Sequence, residues 1–205
     1  IYDFMLHSGM ENGIPLLTVR SDFADGEIRG QHTYASIGTA VKAAMAGLFP
    51  TRFKSPATPE KLSENNFTFN ARFKQIDKLS GFFNAGISVA EGSTLSGYFY
   101  AESKIASARL FSPALGIAGT EFRNLTVNSS VSGNRMNVTV NSDTLHLPDN
   151  SDLRNFIVQV DTRPDSMNLD INWDNRDDGR TLGDLKAEAY YGLNNRGKPV
   201  LNISI

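Results

Sequence analysis

Hydrophobic and polar residues alternate one by one over most of the 205-residue chain, the period of a strand with one covered face. The pattern is clearest between residues 120 and 174, where it repeats. Residues 120–143 fall on 151–174 without a gap when shifted by 31 positions. Phe122-Arg123-Asn124-Leu125 then meets Leu153-Arg154-Asn155-Phe156, and Met136-Asn137-Val138 meets Met167-Asn168-Leu169. Turn-forming stretches, Ser132-Gly133-Asn134-Arg135 and Arg163-Pro164-Asp165-Ser166, separate the strands of each unit. A strand–turn–strand unit at fixed period predicts an array of β-hairpins. A looser third copy places 185–189 on 156–160 and 201–205 on 167–171.

The rest of the chain fits around this array. Tyr2, Phe4 and Leu6 alternate as a short strand, and Asn12-Gly13 is a strong turn signal. Leu17, Val19 and Phe23 form one side of the next run. Ile28, Gly30, His32 and Tyr34 form one side of another, with Asp25-Gly26 expected at the hairpin turn between them. The period then changes. Ile37, Val41, Ala44, Met45 and Leu48 recur at three- and four-residue steps, predicting an amphipathic helix over 36–49 that stops at Pro50. Residues 55–66 read as a loop, Phe67 to Phe73 as a strand, and 74–83 as a short helix. From Ile87 onward the chain reads as strand, with Pro113-Ala114-Leu115-Gly116 expected to turn it into the repeats.

The strands are one-sided. Leu125 and Val127 share a face, as do Met136, Val138 and Val140; the next unit repeats this with Phe156, Val158 and Val160, then Leu169, Ile171 and Trp173. The opposite face is Asn124, Thr126, Asn128, Asn137, Thr139 and Asn141, followed by Asn155, Asn168, Asp170 and Asn172. Each buried Val, Leu, Ile or Phe gains roughly 1.5–3 kcal/mol over its exposed state. Many apolar strand faces with one helix to cover them must therefore fold upon themselves. The expectation is an all-β chain with a minor helix, its antiparallel hairpins forming a curved sheet folded on itself around an apolar groove. A closed β-sandwich produces the same pattern. Residues 1–65 (hairpin, helix, loop) and 66–205 (repeated hairpins) read as one elongated unit. Because the chain opens on Ile1 and closes inside a strand pattern, we expect a piece of a longer protein.

Composition narrows the chemistry. The absence of Cys excludes disulfides and thiolate metal sites, and a net charge of −2 gives no general attraction to nucleic acid. His7, His32 and His146 are scattered, with no partner at ligand spacing in the sequence. Asp174 to Gly179 resembles a calcium loop, but Arg176 stands where a ligand belongs and Leu185 replaces the closing Glu. Five N-x-[ST] triplets, at Asn66, Asn124, Asn128, Asn137 and Asn202, follow the Asn/Thr-rich polar face. Nucleophile elbows and nucleotide-binding fingerprints are missing. The reading is a non-enzymatic protein without a cofactor or metal.

The run Gly92-Ser93-Thr94-Leu95-Ser96-Gly97-Tyr98-Phe99, the repeated F/L-x-N-L/F segments and the Met-Asn-Val/Leu strands resemble the TamB translocation and assembly module family, AsmA-like and of Bacteroidetes type. The likeness is clearest from Phe67 to Ile205 and rests on strand rhythm. It implies a periplasmic protein anchored in the inner membrane by an N-terminal helix lying outside this stretch. It also implies a β-taco, a folded sheet whose groove carries phospholipid acyl chains toward the outer membrane, and a BamA/TamA-type barrel partner. The groove-lining candidates are then Leu125, Val127, Met136, Val138, Val140, Phe156, Val158, Val160, Leu169, Ile171 and Trp173. The other reading is a non-catalytic, adhesin-like surface module.

Overall fold

The computed structural model describes residues 3–32, 34–55, 65–74, 86–176 and 182–205, without the side chains of 34–37 and 40. One helix and thirteen strands follow in the order β1 (Phe4–Glu11), β2 (Ile14–Ser21), β3 (Ala24–Gln31), α1 (Tyr34–Leu48), β4 (Asn66–Phe73), β5 (Ile87–Val89), β6 (Thr94–Tyr100), β7 (Ile105–Ile117), β8 (Thr120–Ser132), β9 (Arg135–His146), β10 (Asp152–Arg163), β11 (Ser166–Asp174), β12 (Leu182–Leu193) and β13 (Pro199–Ser204). All join one antiparallel sheet in sequence order, except that β5 adds to the far end of β7 and leaves β4 paired with β6. The sheet is curved and unclosed, with β1 and β13 at its two edges. The chain is all-β with a minor helix, and its described strands form no closed sandwich.

A crease, where the ladder skips and the backbone turns left-handed, crosses the long strands. Asn124 in β8 and Asn155 in β10 both adopt positive φ, 49° and 48°. The pairing of β8 with β9 breaks between Arg123↔Thr144 and Thr126↔Asn141, then resumes in the same register. Small hydroxyl residues line the crease. Ser93 and Ser112 are fully buried and share a 2.7 Å hydrogen bond; their hydroxyls also reach the Ala90 and Ala114 carbonyls. Ser142 donates to the carbonyls of Arg123 and Thr144 at 2.7 and 2.8 Å. Where the ladder opens, side-chain oxygens thus take up backbone groups that would otherwise be buried without partners. Asn175 does the same beyond β11, accepting from Arg154 N–H and donating to the Asp152 carbonyl, both at 2.7 Å.

One left-handed residue also reverses the alternation. Phe122 and Leu125 lie three apart and should face opposite ways. Instead the Phe122 ring meets Phe156, which shares the face of Leu125, at 6.4 Å between centroids. Phe122, Leu145 and Leu153 pair side by side and continue the apolar face past the crease.

Helix α1 runs 15 residues, about 22 Å. Its C-terminal end is fastened to the β10–β11 turn. Asp165 N–H donates to the Leu48 carbonyl at 2.8 Å, and the Asp165 carboxylate accepts from Thr51 N–H and Oγ at 2.9 and 2.8 Å. Phe49 packs edge-on against Tyr191 of β12, 5.6 Å between centroids.

Three expected boundaries move. Asp25-Gly26 lies inside β3 and the turn falls at Asp22-Phe23, because the Ser21 hydroxyl clamps both the N–H and the carbonyl of Ala24. Pro113 to Gly116 continue β7, and the chain turns at Ala118-Gly119. Pro113 is tolerated because it sits in the crease, where the ladder skips from Ser112↔Leu125 to Ala114↔Arg123. The third repeat copy is displaced by two residues: Leu185 shares its register row with Val158 through Ile171, not with Phe156. Face parity survives a shift of two. The helix expected over 74–83 and most of the loop at 55–66 lie outside the described residues.

Candidate functional site

Pairing registers turn the one-sided strands into continuous rows across the sheet. One row runs Leu6, Val19, Gly26, Ala71, Leu95, Leu110, Val127, Val140, Val158, Ile171, Leu185, from β1 to β12. A second, two residues along each strand, includes Leu17, Ile28, Phe69, Gly97, Ala108, Ser129, Val138, Val160, Leu169 and Ala187. A third carries Phe67, Phe99, Ala106, Val131, Met136, Thr162, Met167, Ala189 and Ile203.

All eleven sequence-nominated residues join this face. Val127, Val140, Val158 and Ile171 sit in the first row, Val138, Val160 and Leu169 in the second, and Met136 in the third. Leu125, Phe156 and Trp173 lie along the crease; Leu125 is 2 % exposed. Trp173 lies over Gly183, its partner on β12, where a Cβ would collide with the indole. The Phe69 ring similarly crowds the Cβ position of Gly97. Aromatic rings thus cover these two glycines of the face.

Sequence reasoning missed Phe122, Leu145, Leu153 and Leu115, which belong to the same face beyond the crease. The usable signal was an Asn between apolar residues three apart, in Phe122-Arg123-Asn124-Leu125 and again in Leu153-Arg154-Asn155-Phe156.

Electrostatically the two faces differ sharply. None of the three rows contains an ionisable side chain. Its hydroxyls are turned to the backbone: Thr162 Oγ accepts from Met136 N–H at 2.9 Å and donates to its carbonyl at 3.2 Å. Charges gather on the other face and at turns. Lys74 holds the Asp25 carboxyl below its ordinary range through a 2.7 Å hydrogen bond, and Glu11 and Glu27 raise the Arg29 guanidinium. His146 has a partner the sequence did not suggest, Asp152, 2.5 Å away across the β9–β10 turn. Among the described residues no cluster of three or more His, Asp or Glu could hold a metal ion, and no helix is long and apolar enough to cross a membrane. The arrangement can shelter hydrocarbon. No protein-family model, curated protein or solved structure matches this chain.

Proposed function

We propose that this chain is a segment of a periplasmic lipid conduit of the TamB type, whose apolar groove carries phospholipid acyl chains between the inner and outer membranes or serves outer-membrane protein assembly. The supporting observation is the uncharged row from Leu6 to Leu185, which continues unbroken over eleven strands of an unclosed sheet. An acyl chain gains about 0.8 kcal/mol for each methylene buried there, and the row offers an uncharged surface at each strand step of about 4.8 Å. A diffusing tail then meets no charged group along the row. An inner-membrane anchor and a BamA/TamA-type barrel partner belong to the same reading, through parts of the protein other than this chain.

A photo-crosslinker placed at Val138 or Leu169 in cells should capture phospholipid. Val138→Asp should block that capture while the sheet still folds, since a carboxylate at an open groove reaches water. Only intramolecular products, together with an unfolded Val138→Asp variant, would sink the conduit in favour of a binding module with a filled interior.

A further inference from the structure

Helix α1 does not pack evenly on the apolar face. At its C-terminal end Ala46, Leu48 and Phe49 are buried, whereas Val41 is 53 % exposed. Beneath Val41 a cavity of about 210 Å³ opens against β4, β6, β7 and β8, lined by Phe67, Phe69, Phe99, Ala108 and Val131. Nearly all of that lining is carbon. The cavity opens to the groove on one side, and its carbon lining favours an alkyl chain that buries methylenes against it. It also lies on the second and third apolar rows, and so connects with the groove. The stand-off is built in: Asp165 and Tyr191 fix the helix end, and Gly47 lies against Asn134, whose Oδ1 would be 3.1 Å from an added Cβ.

We propose that α1 and the sheet beneath it form a half-open holding site for one alkyl tail or a segment of a longer one. This rests on the conduit reading and adds a place where cargo pauses under a fixed roof. The groove elsewhere offers a floor; here a tail is covered from two sides.

Octanoate is the probe, titrated while methyl NMR signals are followed. Saturable shifts are expected at Val41, Ala108 and Val131. Val41→Trp, which fills the space, should weaken binding by at least about tenfold, the loss of roughly two methylene burials. Val41→Phe, a smaller filling, should weaken it in the same direction and serves if the Trp variant misfolds. The chain has no cysteine, so a disulfide formed between Gly47→Cys and Asn134→Cys, verified by mass spectrometry of the oxidised protein, would be its single cross-link and would lock the helix in place. Octanoate binding should survive the lock. Undiminished binding in both filled variants, shifts spread evenly to Val140 and Ile171, or loss of binding in the locked protein would each overturn the proposal. Phospholipid capture at Leu169 reports on the conduit separately: it should persist in Val41→Trp, and its failure in the unaltered protein beside intact octanoate binding would remove the conduit alone.

Discussion

Asn124 and Asn155, 31 residues apart in the sequence, occupy the same left-handed backbone conformation at the same place in successive hairpins. The repeat is therefore one of backbone geometry as well as side-chain order. Each Asn lets the strand break its alternation once, so that apolar residues on both sides of the crease meet on one face. Asn and Gly are the residues that visit this region at low cost. Their side chains are anchored locally as well, Asn124 Nδ2 to Asp143 at 2.7 Å and Asn155 Nδ2 to the Asp174 carbonyl at 3.3 Å.

Four asparagines of the polar face should accordingly split in two. Asn137 and Asn168 are exposed and have ordinary strand dihedrals, so Lys at either should change stability by less than about 0.5 kcal/mol. Val at Asn124 or Asn155 should cost about 1–3 kcal/mol each, the strain of a branched residue at positive φ, whereas Gly should be close to neutral. Urea denaturation of the six single variants decides the matter. Equal tolerance at all four positions would mean the crease is not held by these dihedrals.

How much of this was legible beforehand follows from the physics of each feature. Strand faces were legible, because a period of two is written in residues such as Val138 and Val140 and does not depend on what the strand pairs with. The continuous rows were legible only within the repeats, where equal spacing fixes register; the displaced third copy shows the limit, since a shift of two preserves every face. The crease was visible as a motif but not as a bend. Asn124 reads as one more polar residue until Leu125 and Phe122 are seen on one side. The place of α1 could not be read at all: its apolar stripe says that it is covered, while the bonds that place it come from Asp165, 114 residues away from Thr51.

Acid should affect the turn after β11 in a defined window. Arg176 binds the Asp174 carboxylate through its guanidinium and its backbone N–H, which lowers the Asp174 pKa to about 2. A depressed folded-state value means that the interaction is fully present above the unfolded carboxyl pKa of about 3.9 and is lost as pH falls toward about 2. Both side chains are substantially exposed, so the contribution to global stability is small. In Arg176→Ala the Asp174 carboxyl should titrate at higher pH, part of the way back to the ordinary carboxylate range because the backbone N–H of residue 176 remains, read by carbon-detected NMR. An unchanged titration would show that the guanidinium is not the cause.

Asp165 is the residue through which the helix and the sheet hold each other. Its backbone sits at φ 59° in the β10–β11 turn, its N–H meets Leu48, its carbonyl accepts from Tyr191 N–H at 2.7 Å, and its carboxylate takes both donors of Thr51. Three substitutions separate these roles. Asp165→Gly keeps the turn and removes the carboxylate; Asp165→Asn keeps the turn and one acceptor oxygen; Asp165→Ala strains the turn and loses both bonds. Stability should fall in the order Asn, Gly, Ala, with the Ala variant lower by about 1–3 kcal/mol. Amide exchange carries the sharper test, because local opening is reported element by element. In the Gly variant the amides of residues 45–48 should exchange faster while those of β8 and β9 stay protected. Acceleration shared equally by helix and strands would mean that Asp165 supports the sheet as a whole, and the roof over the Val41 cavity would then have to be held by something other than this clasp.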